Sequence, residues 1–433
     1  MADVLKIGVA GLGTVGSALI RNIQEREEIL KDTNQCSFVV SAVSARDKDI
    51  DRGINFLTAE WFDDPLEMAS KADIDVFVEL IGGEGHPAYD SVNIALMRGC
   101  HVVTANKALI ARYGNDLSLL AQKNKTTLNF EASVAGGIPI IKVLKDSIEY
   151  DEVTRIYGIM NGTCNYILSH MHNSGMSFQD CLEEAKRCGY AEDNSEFDIN
   201  GIDSTQKIAI LSSIAFGTNT SVDGVYCEGI SNITLEDIRS AEDFGYRIKL
   251  LAMAQRKGKE VIRYVYPVLL KYDSTMALVG SINNAVIIET GRLGKLTMIG
   301  PGAGGNPTAS AVLGDICNIA KMNTDMPLLY SGKSSTFSAI HCDNVYEQER
   351  EYFIRLKICN LEGILDKITS QMSDFNIPLR LFNCSHQEEN SQECSVFMVT
   401  HKVSGTFIYD AIKCFNSKSD AIKYFRVMCI ENL

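Results

Sequence analysis

"VLKIGVAGLGTVG", residues 4–16, decides how this chain is read. A short apolar run over 4–10 passes directly into Gly11, Gly13 and Gly16, and a helical pattern follows from Thr14 to about Leu30. Three glycines at this spacing are a weak signal alone. Between a strand and a helix they acquire a mechanism. Gly11 permits the tight turn, Gly13 lets backbone amides approach a pyrophosphate, and Gly16 lets helix and strand pack closely. With Thr14 and Val15 these residues open a helix whose positive end favours an anion. The stretch predicts a dinucleotide-binding βαβ unit.

Strand and helix signals alternate on both sides of this reading. "SFVVSAVS" (37–44), "DVFVELIGG" (75–83), "HVVTANK" (101–107) and "TTLNFEAS" (126–133) read as strands, and "AYDSVNIALMRG" (88–99) as a helix with a glycine stop. Repeated βα units imply a parallel sheet covered on both faces, so the expected class is α/β with a doubly wound N-terminal domain over residues 1–137. The second strand ends "VSARDK", with Arg46 near the place where an acid would hold a ribose 2′-hydroxyl. An arginine suits a 2′-phosphate, so NADP is the expected cofactor, with NAD the alternative.

The pattern changes beyond this domain. "EVTRIYGIM" (152–160), "VIRYVYPVLL" (261–270) and "AVIIET" (285–290) read as strands of a second sheet. Helices are expected over 176–188, 202–216 and 234–257. A second, α+β domain is therefore assigned to 138–325 and a linker to 326–349. From 350 to 433 the order strand, helix, strand, strand, helix, strand gives a ferredoxin-like βαββαβ unit.

Composition narrows the function classes. The 433 residues are 45% hydrophobic and 22% charged, with a net charge of −14. That balance speaks against nucleic-acid or anionic-membrane surfaces but leaves room for a local phosphate pocket. No 18-residue apolar run is present, and the N-terminus lacks a signal-peptide pattern. The 13 cysteines form no CxxC pair, which fits free thiols in a cytoplasmic protein.

Ligands of such sheets bind outside the carboxyl ends of the strands, where Thr104, Asn106 and Lys107 are expected. Farther along, "AKRCGYAEDNSEFDINGIDSTQK" (185–207) carries Glu192, Asp193, Glu196, Asp198, Asp203 and Lys207. Asp203 and Lys207 lie four apart, on one helix face, and alone they read as a solvated ion pair worth ~0.3–0.5 kcal/mol. The following "IAILSSIAF" is apolar on most faces, however, so the helix is expected to be buried. A charged pair entering a buried helix is costly unless it is used. The surplus of acids suits a substrate ammonium group.

Taken together, "GVAGLGTVG", "VVTANKALIA", "EASVAGGIPII", "GIMNGTCNYIL", "GYAEDNSEFDINGIDSTQK" and "GPGAGGNPTASAVLGDI" resemble the homoserine dehydrogenases, in family order over about residues 4–320. The resemblance implies reversible NAD(P)H-dependent reduction of L-aspartate 4-semialdehyde to L-homoserine, in threonine and methionine biosynthesis. It implies Lys207 as the proton donor, Asp203 as its positioner and a substrate contact, Lys107 as a second active-site lysine near nicotinamide and substrate, and Glu192 and Asp198 at the substrate. Gly189 and Gly304 match cofactor-contacting glycines. Glu131, with the backbone carbonyls of Val134, Gly136 and Ile138, matches a monovalent-cation site, with sodium expected. A homodimer or homotetramer joined through the second domain's sheet is implied as well. Ser195 stands where the family often has proline, and Cys164 where threonine is common.

Residues 350–433 resemble an ACT domain, an amino-acid-sensing module, which raises threonine feedback as an expectation. Its first loop reads Asn360, Leu361, Glu362, Gly363, without the usual Asp and Pro. Beside the homoserine dehydrogenase stand two other readings: a dehydrogenase of another small amino-acid aldehyde, and a non-catalytic amino-acid sensor.

Overall fold

A computed structural model describes residues 4–56, 58–192, 194–321, 338–339, 345–359, 363–386, 393–419 and 421–433. In the N-terminal unit, strands β1 (Val4–Ala10), β2 (Ser37–Ser44), β3 (Glu60–Phe62), β4 (Val76–Glu79), β5 (His101–Thr104) and β6 (Leu128–Asn129) form one parallel sheet. Their order is β3-β2-β1-β4-β5-β6, so the winding reverses between β1 and β4. Helices α1 (Thr14–Glu25), α2 (Glu27–Asn34), α3 (Pro65–Lys71), α4 (Ala88–Arg98) and α5 (Lys107–Lys123) connect them. This is the expected doubly wound sheet. The single helix expected over 14–30 is two, because the backbone leaves helical geometry at Arg26 (φ −117°, ψ 20°).

The glycines behave as their spacing requires. Gly11 has φ +102°, and a Cβ there would sit 2.4 Å from the Leu80 carbonyl oxygen. A Cβ on Gly16 would lie 2.0 Å from the Gly11 carbonyl oxygen, so α1 can approach the turn only as glycine. Gly13, by contrast, would meet nothing within 4 Å.

A second sheet runs Lys295–Pro301, Asn283–Thr290, Val153–Ile159, Tyr246–Lys257, Glu260–Lys271, Ile422–Glu431, Glu349–Cys359, Glu393–Thr400 and Leu379–His386. Its last four strands are the C-terminal βαββαβ unit, with its helices at Ile364–Asp374 and Gly405–Ser419. This unit joins the larger sheet where Val268, Leu269 and Leu270 pair in parallel with Cys429, Ile430 and Glu431. The Asn360–Glu362 loop and most of the expected 326–349 linker lie outside the described residues.

The helix expected over 234–257 is corrected. A capping box between Thr234 and Asp237 starts a helix at Leu235, but it ends at Asp243, and Gly245 (φ +79°) turns the chain. Tyr246–Lys257 is then a strand, paired antiparallel with Glu260–Lys271 along its whole length. Its "LLAMAQRK" composition favours a helix; the twelve-residue ladder outweighs that preference.

The helix Gly305–Ala320 follows the strand Lys295–Pro301 of the second sheet in sequence but packs on α1. Ala309, Val312, Leu313 and Ile316 share a core with Leu19, Ile20 and Ile23. Gly305 abuts Thr14, so the N-termini of two helices converge at the glycine turn.

Candidate active site

The helix Ile202–Phe216 is buried on most of its faces, Asp203 and Lys207 included. Lys207 Nζ donates to Asp203 Oδ2 at 2.8 Å and to the Met160 carbonyl at 2.6 Å. Lys107, the first residue of α5, reaches the other oxygen: its Nζ lies 3.2 Å from Asp203 Oδ1. One carboxylate therefore holds two lysines contributed by different domains. Asn161 Nδ2 donates to Asp203 Oδ2 at 2.9 Å and to Asp198 Oδ1 at 2.8 Å, while Thr163 Oγ1 donates to Asp198 Oδ2 at 3.0 Å.

These contacts set the charges. Burial works to raise the Asp203 pKa, but Lys207 and Lys107, with hydrogen bonds from Lys207 and Asn161, outweigh it and hold it at about 2. Burial, then repulsion from Asp203, raises the pKa of Asp198. The site thus keeps a fixed anion beneath the ammonium of Lys207. Cys164 is buried and its thiol is pushed well above its usual range by burial, so it stands as a packed thiol rather than a thiolate nucleophile.

The two glycines that the resemblance assigns to the cofactor lie at element ends. Gly304 (φ +122°) precedes the helix Gly305–Ala320, and Gly189 (φ +73°) follows the helix Phe178–Arg187. Two convergent helix N-termini, one opened by Gly13 where a Cβ would meet only open space, fit a bound pyrophosphate. Val15 is partly buried behind Gly13, Thr14 is exposed there, and Arg46 is exposed just past the end of β2. Glu192 is exposed in the loop before the short helix Glu196–Ile199; its neighbour Asp193 is outside the described residues.

The chain matches the homoserine dehydrogenase family over residues 139–317 and the NAD-binding domain of homoserine dehydrogenase over 11–131. The homoserine dehydrogenase of Neisseria gonorrhoeae is 34% identical over 434 residues, covering 99% of each chain. The chain belongs to the homoserine dehydrogenase family. A crystal structure of a homoserine dehydrogenase from Thiobacillus denitrificans superposes with a TM-score of 0.91 at 33% identity, over 100% of this chain and 99% of that one. A hyperthermophilic archaeal homoserine dehydrogenase in complex with NADPH gives a TM-score of 0.62 at 27% identity, over 74% of this chain and 98% of that one. The chain is thus an NAD(P)-dependent oxidoreductase that interconverts L-aspartate 4-semialdehyde and L-homoserine, the reaction serving threonine and methionine biosynthesis.

Against this homoserine dehydrogenase frame, Asn161, Thr163 and the Met160 carbonyl are the site groups that the residue pattern did not single out. Their partners lie 35–47 positions away, so no local spacing announces them. The cation-site residues expected from the resemblance form a compact loop. Glu131 is buried, and its carboxylate accepts from the Ile141 and Lys142 amides at 2.9 and 2.8 Å. Burial, then Asp315, pushes its pKa to about 7. A nearby cation would offset both effects. Ala135 and Gly136, both at positive φ, turn the segment that carries the Val134, Gly136 and Ile138 carbonyls. One carboxylate with backbone carbonyls is a donor set suited to a hard monovalent cation.

Proposed function

We propose that Lys207 is the proton donor in the reduction of L-aspartate 4-semialdehyde, with NADPH as the preferred reductant. When bound, the reduced nicotinamide supplies the hydride to the aldehyde carbon. Negative charge then builds on the aldehyde oxygen, and a proton given by Lys207 Nζ completes the alcohol. In the reverse direction the same amine takes the hydroxyl proton. The observation that carries this reading is the placement of Lys207: it is buried, held by Asp203 and the Met160 carbonyl, and keeps one of its three N–H donors for a substrate oxygen.

Asp203 orients Lys207 and, through its second oxygen, Lys107, which stands between the cofactor domain and the substrate domain. Glu192 is assigned to the amino end of homoserine, reaching it from its exposed loop. Asp198 supports the substrate side through Asn161. Gly11, Gly13, Thr14, Val15, Gly16, Gly189 and Gly304 take the cofactor. Arg46 takes the 2′-phosphate, supported by its position after β2 and by the NADPH bound to the archaeal relative. Glu131 and the carbonyls of Val134, Gly136 and Ile138 hold sodium.

We assign the C-terminal βαββαβ unit as ACT-like and the protein as a cytoplasmic homodimer or homotetramer. Its strand order, with the last strand beside the first, supports the ACT-like reading. NADPH oxidation with L-aspartate 4-semialdehyde, compared with NADH and with other amino-acid semialdehydes, tests the function. A faster turnover of a different semialdehyde would replace the substrate assignment.

A further inference from the structure

The fully buried carboxylate of Glu79 has no described ion-pair partner and no part in the chemistry above. It is the last residue of β4, in register with Ala10 of β1 and Thr104 of β5. That places it where the strand order reverses, beneath the crevice in which such sheets bind ligands. Oε1 accepts from the Ile81 and Gly82 amides at 2.8 and 2.9 Å, and Oε2 accepts from Thr104 Oγ1 at 2.5 Å. Thr104 Oγ1 in turn accepts from the Asn106 amide at 2.9 Å. The Asn106 side chain donates to the Gly83 carbonyl at 2.6 Å and accepts from the Leu109 amide at 3.1 Å, capping α5. Lys107 is the next residue.

We propose that Glu79 is a positioning residue for Lys107, fixing the 80–83 and 104–107 loops against each other through Thr104 and Asn106. The proposal rests on the reading of Lys107 as an active-site residue.

The hydrogen-bond polarity explains why the residue is a carboxylate. Donors face both of its oxygens, so both must accept. A glutamine would turn its NH2 either toward the Ile81 and Gly82 N–H groups or toward Thr104 Oγ1, whose own hydrogen then loses its acceptor. The first orientation opposes donors to donors, and the second leaves the Thr104 hydroxyl hydrogen without its acceptor. Burying a charge without an ionic partner is costly. Burial raises the Glu79 pKa, and the hydrogen bonds from Thr104, Gly82, Ile81 and Asn106 oppose that rise. The cost is met at a junction of two loops that lead to the reacting centre.

A double-mutant cycle on the full-length protein tests this. Glu79→Gln is expected to lower kcat about tenfold in the otherwise native protein but less than about twofold when Lys107 is already alanine. Melting temperature is recorded for every variant, and Thr104→Val, which removes the relay hydroxyl, repeats the cycle if Glu79→Gln does not fold. An equal loss in both backgrounds, or a lowered melting temperature with kcat intact, overturns the proposal alone. An unchanged kcat in Lys107→Ala overturns the assignment of Lys107, and with it the proposal.

Discussion

Asp203 and Lys207 meet across one turn of a buried helix, Oδ2 to Nζ at 2.8 Å, and the remaining oxygen of Asp203 lies 3.2 Å from Lys107 of the cofactor domain. A surface i,i+4 pair of this kind would contribute little. Here both partners are almost out of solvent, and the carboxylate joins two domains at the proposed reaction centre.

Removing that carboxylate leaves two lysines without their shared counter-charge. Asp203→Asn is expected to lower kcat by about a hundredfold and to destabilise the fold by ~3–5 kcal/mol, the range for breaking a buried pair on one side. Steady-state rates and urea unfolding at neutral pH check the two halves separately.

The same pair sets an acid limit. The Asp203 pKa is about 2 in the folded protein, below the ~3.9 of an unfolded aspartate. The unfolded state therefore binds its proton first as pH falls. The stabilisation is complete above the unfolded value and is lost between about pH 4 and 2. Unfolding free energy measured from pH 5 to 2.5 should fall less steeply in Asp203→Asn than in the native protein. Asp198, whose pKa is raised, works in the opposite sense and flattens the native slope.

Two neighbouring glycines should separate folding from binding. Gly16→Ala places a Cβ 2.0 Å from the Gly11 carbonyl and is expected to lower the melting temperature. Gly13→Ala meets no atom within 4 Å, so its stability should be unchanged, while NADPH affinity falls about tenfold through the lost close approach to phosphate. Thermal melts and fluorescence titration with NADPH distinguish the two.

Arg46→Ala is expected to lower the ratio of NADPH to NADH activity by about tenfold, the loss of one charge-assisted phosphate contact. An unchanged ratio would assign the 2′-phosphate contact elsewhere. Sodium should raise the melting temperature of the native protein but not of Glu131→Gln, a measurement that needs no turnover.

What the residues disclosed depended on distance along the chain. The glycine turn and the Asp203–Lys207 pair are local, and both were legible: one from strand–turn–helix context, the other from helical spacing in an apolar segment. Asn161 and Thr163 lie 35–42 positions from the carboxylates they serve, and only the packing of the helix Gly162–Ser174 against the 196–203 segment brings them together. Tyr246–Lys257 reads as helix from its side chains alone, while its partner strand decides its form. The junction of the C-terminal unit with the larger sheet pairs residues about 160 positions apart, which no periodicity encodes. The resemblance supplies the expected cation-site residues and the specific role of Glu192, which the local cluster of acids does not single out.

The most direct measurement is the rate of NADPH oxidation with L-aspartate 4-semialdehyde by Lys207→Ala, made beside its melting curve. The account predicts a folded protein that binds NADPH with native affinity and turns over at least about a hundredfold more slowly, the loss of a positioned general acid. A folded variant that keeps the native rate would contradict it.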